Sequence, residues 1–122
     1  MISEKNITLN KSFDFSVRVV KLYKYLSSQK KEYIISKQLL RCGTSIGANI
    51  NEAQAGQTKK DFIAKMSIAS KEARETKYWI DLLIATDYLS KEDKHTKSLL
   101  LDIEELIKLL TSIVKTSQTK EI

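Results

Sequence analysis

The sequence has no proline, and its three glycines, Gly43, Gly47 and Gly56, all fall between residues 41 and 56. Proline and glycine punctuate turns and interrupt helices, so their scarcity argues against a turn-rich β fold and for long helices. A single cysteine, Cys42, excludes a disulfide within the chain and fits a reducing compartment. With one cysteine and one histidine, His95, there is no Cys/His cluster to hold a metal. No apolar run approaches the ~20 residues of a membrane span. The opening MISEKNITLNK also lacks the apolar core of a signal peptide. The expectation is a cytoplasmic protein with no membrane attachment.

What is present is a chain of 122 residues, the length of one domain, 1–122. Such a chain can bury roughly two-thirds of its unfolded surface without a metal or disulfide. Its net charge of +6 favours an anionic partner. From Lys11 to Glu32 there are six basic residues and two acidic ones, so most of the excess charge lies in this early segment.

Apolar spacing predicts four helices, at about 11–28, 33–55, 58–88 and 91–115. In the first, Phe15, Val19, Leu22, Tyr23 and Leu26 share one face, and Lys11, Arg18, Lys21 and Lys24 lie on the opposite arc. Asn10 or Ser12 is a candidate N-cap. In the second, Ile35, Leu39, Cys42, Ile46, Ile50 and Ala53 recur in steps of three and four, and Gly56 sits where a left-handed C-terminal cap is expected. Thr58 with Asp61, and Ser90 with Asp93, resemble capping boxes for the third and fourth helices. The fourth is carried by Leu99, Leu100, Ile103, Leu106, Ile107, Leu110, Ile113 and Val114, and residues 116–122 are expected to fray. Short connections between long helices make neighbours antiparallel. The predicted fold is all-α, an up-down-up-down four-helix bundle.

The third helix carries two seams. Phe62, Met66, Ala69, Ala73, Thr76, Ile80 and Leu83 form a heptad line suited to a bundle core. Ile68, Glu72, Glu75, Trp79 and Leu82 form a second line about 100° away. A monomeric bundle needs one stripe, so the second suggests contact with another subunit; the plainer alternative is a widened core stripe with both glutamates facing water. On the second helix, Gln38, Ser45 and Glu52 make a polar column, and Asn49 falls in the apolar seam. Buried there, Asn49 would set register and need partners such as Thr76 or Arg74. Gly43 and Gly47 would let another helix come close.

Catalytic constellations are largely absent. His95 lies in the charged run KEDKHTK and reads as a solvated side chain; Cys42 reads as a small buried hydrophobe. The carboxylates Glu52, Glu72 and Glu75 are the one route to a metal enzyme, and they lack the histidine of di-metal bundles. Ion pairs of Glu72 and Glu75 with Arg41 or Arg74 explain them as well. The basic face of the first helix is the strongest binding feature, extendable by Lys59, Lys60 and Lys65. It offers phosphate contacts and little base readout.

The run QLLRCGTSIGANINEA, residues 38–53, followed by DFIAKMSIASKEARETKYWIDLL, residues 61–83, resembles the four-helix-bundle family named for 23S rRNA intervening sequences. The resemblance rests on Ser45, Ile46, Asn49, Ile50 and Glu52 in the second helix. In the third it rests on Phe62, Ile68, Ala69, Glu75, Thr76, Tyr78 and Trp79. The early FDFSVRVVKLY also fits. The resemblance implies a small bacterial cytoplasmic bundle that assembles as a homopentamer. The family is similar to the accessory variability protein of diversity-generating retroelements, a basic pentameric barrel that binds nucleic acid and a reverse transcriptase. No catalytic residue, cofactor or metal comes with it, and Ser45, Asn49, Glu52, Glu72, Glu75 and Trp79 become residues of motif or interface type. The resulting expectation is a homo-oligomer that binds RNA or DNA through Lys11, Arg18, Lys21 and Lys24. The rivals are a scaffold for a partner protein such as a reverse transcriptase, and a carboxylate metal enzyme.

Overall fold

Leucine, isoleucine and alanine at spacings of three and four give each segment an apolar stripe, and burying four such stripes against one another produces the architecture. In a computed structural model, which describes residues 4–119, the chain forms α1 (Glu4–Ser28), α2 (Ile35–Gln54), α3 (Lys59–Ala85) and α4 (Lys94–Thr119). No strand occurs among the described residues. The helices form a ring: α1 packs on α2 and α4, and α3 packs on α2 and α4. Paired residues give the directions. Val19 lies against Gly43 and Ser12 against Gly47. Across the α2–α3 seam Arg41 meets Glu75 and Glu52 meets Lys65, and across the α1–α4 seam Lys11 meets Glu105 and Arg18 meets Asp102. On each of these seams numbers rise along one helix as they fall along the other.

The core takes Phe15, Val19 and Leu26 from α1, Leu39, Ile46 and Ile50 from α2, Met66, Ile80 and Leu83 from α3, and Ile103, Leu106 and Leu110 from α4. Each fully buried side chain of this size contributes about 1.5–3 kcal/mol. The two glycines of α2 set the α1–α2 distance. A methyl group on Gly43 would lie 2.8 Å from both Val19 γ-carbons, and one on Gly47 would lie 3.3 Å from Ser12 O and from the Ser12 and Ser16 hydroxyls. The close approach expected at Gly43 and Gly47 is therefore made by α1 of the same chain.

Helix ends depart from the sequence expectation in instructive ways. The first helix begins at Glu4, not near Lys11, and neither Asn10 nor Ser12 caps it. Thr8 and Ser12 are buried and continue the stripe towards the N-terminus. The Ser12 hydroxyl donates to Leu9 O at 2.7 Å, which satisfies it without ending the helix. The second helix is capped from upstream by Glu32, whose carboxylate accepts the N–H groups of Ile34 (3.2 Å), Ile35 (3.1 Å) and Ser36 (2.6 Å). Lys31, with φ 56°, turns the chain into this position. Burial raises the Glu32 pKa, but the hydrogen bonds from Ser36, Ile35 and Ile34 outweigh it and leave the group below its ordinary value.

Thr58 caps α3 as expected, accepting from Asp61 N at 3.0 Å. Gly56 does not adopt a left-handed conformation. Space explains it: a methyl group there would meet Ala53 O at 3.2 Å and the first turn of α3 at 3.4 Å. Left-handed residues follow α1 and α3 instead, at Lys31 and at Asp87 (φ 68°); at the latter Tyr88 N donates to Leu83 O at 2.9 Å and Asp87 N to Ile84 O at 3.1 Å, a Schellman ending to α3. Ser90 does not start α4. It closes a turn with Asp93 N at 3.2 Å, and the helix begins at Lys94 with Lys97 N donating to Asp93 O at 3.0 Å. Residues 116–119, expected to fray, are helical, and 120–122 lie outside the described residues.

Candidate nucleic-acid interface

Lys11, Arg18, Lys21 and Lys24 do not act as one face. A step of three residues moves about 60° around a helix, so Arg18, Lys21 and Lys24 spiral from one flank of α1 to its outer side. Lys11 and Arg18 turn towards α4. The Lys11 ammonium pairs with Glu105 at 3.0 Å. Arg18 donates to Asp102 at 2.6 Å, to the Ser98 hydroxyl at 3.0 Å and to the His95 carbonyl at 3.2 Å. Both charges are answered within the chain and help to close the α1–α4 seam. Lys21 and Lys24 are exposed, and their ammonium groups have no hydrogen-bond or ion-pair partner among the described residues. Lys59 and Lys60 are exposed at the start of α3, and Lys65 is drawn to Glu52 at 3.4 Å.

Beside Lys21 a groove of about 1090 Å³ opens between α1, the link after it, and the α3–α4 connection. Lys30 and Lys91 stand on its margins, and Tyr25, Tyr88 and His95 contribute rings. The Lys30 ammonium lies 6.0 Å from the Tyr25 ring centroid, at the outer limit of a cation–π contact. Tyr25 and Tyr88 carry no periodic signal that separates them from core residues, so the sequence pattern alone left them unmarked.

The outer side of α1 is also less basic than its composition implies. Phe13 is 67 % exposed and Val17, one turn on, 40 %. These apolar residues stand on the solvent side of a helix whose opposite face is already buried.

The motif residues gather on the α2–α3 seam. Arg41 of α2 binds Glu72 at 3.5 Å and makes a shorter contact to Glu75. The Trp79 indole N–H donates to the same Glu75 oxygen at 3.0 Å, and Tyr78 meets the Trp79 ring edge-on at 5.1 Å. The pairing of Arg41 with both glutamates thus occurs across helices of one chain, and Arg74 goes elsewhere, to the Thr111 hydroxyl at 2.9 Å. Asn49 does not reach Thr76 or Arg74. It is half-buried, and its amide donates to Ser45 O at 2.8 Å and Ser45 Oγ at 3.0 Å, within its own helix. Of the polar column, Gln38 accepts from Arg41 at 3.4 Å and Glu52 receives Lys65. Thr76 donates to Glu72 O at 2.7 Å and lies 3.2 Å from the Cys42 sulfur. Burial pushes the Cys42 thiol up to about 11.

Among the described residues no group of three or more His, Cys, Asp and Glu side chains is placed to hold a metal ion. No described helix is long and apolar enough to cross a membrane. The seam motif and the four helices can be set beside known proteins. The family model for the 23S rRNA-intervening sequence protein matches residues 4–112. The chain belongs to that family. A crystal structure of a family relative, described as a protein of unknown function from the S23 ribosomal protein family of Bacteroides thetaiotaomicron, is 50 % identical to this chain. The likeness covers 93 % of this chain and 99 % of that one, with a TM-score of 0.88. No curated protein matches. The intervening-sequence family thus carries the fold.

Proposed function

We propose that this intervening-sequence family member is a non-enzymatic oligomer that binds nucleic acid, RNA in preference to DNA, through basic surfaces repeated around the assembly. Lys21 and Lys24 carry the reading: two exposed cations, a turn apart on α1, without a partner among the described residues. The net charge of +6 acts in the same direction. We read the bundle as antiparallel, up-down-up-down and cytoplasmic, with five copies in the assembly. The exposed Phe13 and Val17 support self-association, since a second copy would remove that apolar surface from water. Each added copy repeats Lys21 and Lys24 and raises the effective affinity of a long polyanion.

A titration of matched RNA and DNA at about 50 mM and about 200 mM salt tests the reading. Binding should weaken steeply with salt, and the double variant Lys21→Glu/Lys24→Glu should lose most of it. No binding at the lower salt overturns the proposal. Arg18→Glu is a poor substitute, because it also breaks the pairing with Asp102. A monomer mass from light scattering would remove the oligomeric part. The exposed Phe13–Val17 pair equally favours a second reading, a scaffold that docks a partner enzyme such as a reverse transcriptase. That reading predicts a stable complex unaffected by the lysine reversals.

A further inference from the structure

We propose that the groove between α1 and the α3–α4 connection holds an unpaired nucleotide of a bound single strand, a proposal that rests on the nucleic-acid reading above. Three observations meet at this place. The groove, of about 1090 Å³, is slightly larger than the roughly 300–1,000 Å³ typical of ligand sites, so it has room for a base with its flanking phosphates. It presents two tyrosine rings: Tyr25, 43 % exposed, from α1, and Tyr88 from the connection. Three lysines, Lys21, Lys30 and Lys91, stand around those rings on three different segments, where phosphates on either side of a base would reach them.

The charge of the groove refines the ligand. Asp87 and Asp93 also line it, and Arg18 is already held by Asp102. Three lysines without an ion-pair partner, one of them (Lys30) over the Tyr25 ring, against two carboxylates give little net attraction. A duplex, which presents only its phosphates to such a groove, would gain almost nothing there. An unpaired base gains the faces of the rings, and stacking of this kind is indifferent to sequence because every base has a π face. The Lys30 ammonium lies over one face of the Tyr25 ring at 6.0 Å, so a stacked base takes the other face and the cation polarises the ring between them. The groove therefore selects for single-strandedness, while Lys21 and Lys24 supply contacts that any nucleic acid can use.

The experiment compares an end-labelled single-stranded RNA with the same RNA annealed to its complement, titrated against the full-length protein. Tyr25→Leu should weaken single-strand binding by roughly tenfold, in line with the loss of one stacked base, and leave the duplex unchanged. Tyr25→Phe should retain wild-type binding. The tenfold difference should persist as salt is raised, because stacking is not screened. Lys91→Glu, on the opposite side of the groove, should also weaken the single strand more than the duplex. Tyr25 is exposed, and an unchanged melting temperature for Tyr25→Leu checks that the fold is intact. If Tyr25→Leu affects both nucleic acids equally, or neither, the groove proposal is wrong. If neither holds for Tyr25 while Lys21→Glu/Lys24→Glu abolishes binding, the basic-surface reading survives alone. If the wild-type protein binds neither RNA at low salt, both readings fall.

Discussion

Glu75 is shared: its carboxylate accepts the Trp79 indole N–H at 3.0 Å from one turn along α3 and the Arg41 guanidinium from α2. The glutamate thereby ties a tryptophan, an arginine and two helices together. It is only about one-third exposed, so the interactions are partly shielded from solvent. Glu75→Gln keeps the shape and removes the charge, and should cost about 1–2 kcal/mol. A cycle combining Arg41→Ala with Glu75→Gln should give a coupling of about 1 kcal/mol. Urea denaturation followed by Trp79 fluorescence reads both, and a coupling of zero would mean that the Arg41–Glu75 pair itself adds nothing to stability, whatever Arg41 contributes through Glu72 and Gln38.

Gly43→Ala replaces a residue of poor helix propensity, which alone should stabilise α2 by about 1 kcal/mol. The added methyl group lands 2.8 Å from both branches of Val19, however, in a fully buried position. Overpacking of this kind costs about 1–3 kcal/mol, so the net effect should be destabilising. Pairing the change with Val19→Ala should make Gly43→Ala favourable, a reversal of sign visible in thermal melts.

Glu32 gives α2 a pH-dependent cap. Its folded pKa lies below the unfolded value, so its contribution is fully present above the unfolded pKa and is lost as pH falls through the folded one. Glu32→Gln should cost about 1 kcal/mol near neutral pH, within the range for lost N-caps. The difference from wild type should shrink as pH is lowered past the carboxylate range. Stability curves at neutral and acid pH test this, and a constant difference would refute the role of the charge.

Cys42 is buried with a thiol pushed up to about 11. At neutral pH its thiolate is scarce and out of reach, so a thiol reagent should label it only as fast as the protein opens. Labelling should become rapid in denaturant. Rapid labelling of the native protein would place Cys42 outside the core.

Much of the fold was legible because it depends on local repetition. Leu39, Cys42, Ile46, Ile50 and Ala53 are all buried, as are Met66, Ala69, Ala73, Thr76, Ile80 and Leu83. The Thr58 cap was legible for the same reason, since its partner lies three residues away. Residues whose role is set by distant contacts were not. Arg18 looked like a surface cation because Asp102, its partner, is 84 positions away. Ser12 looked like a cap because a buried hydroxyl bonded to its own helix has the same chemistry as one that ends a helix. Glu32 caps through a turn at Lys31, a non-glycine residue with positive φ that carries no clear sequence mark. Phe13 and Val17 carry no such mark either, because they stand among charged residues on the side of α1 away from its apolar stripe.

The seam between α1 and α4 has a kinetic consequence. Each of the other seams joins helices that follow one another in the chain and can form as a local hairpin. This one joins the first helix to the last, through pairs such as Lys11 and Glu105, 94 positions apart. From the unfolded chain its closure carries the largest loop entropy, so it should come after the hairpins have formed. It is also the seam with the thinnest packing. Native-state hydrogen exchange should therefore find the ring parting first between α1 and α4, as a transient split that leaves the hairpins standing. A strand held in the adjoining groove would act as a clasp across that split and slow exchange on both helices.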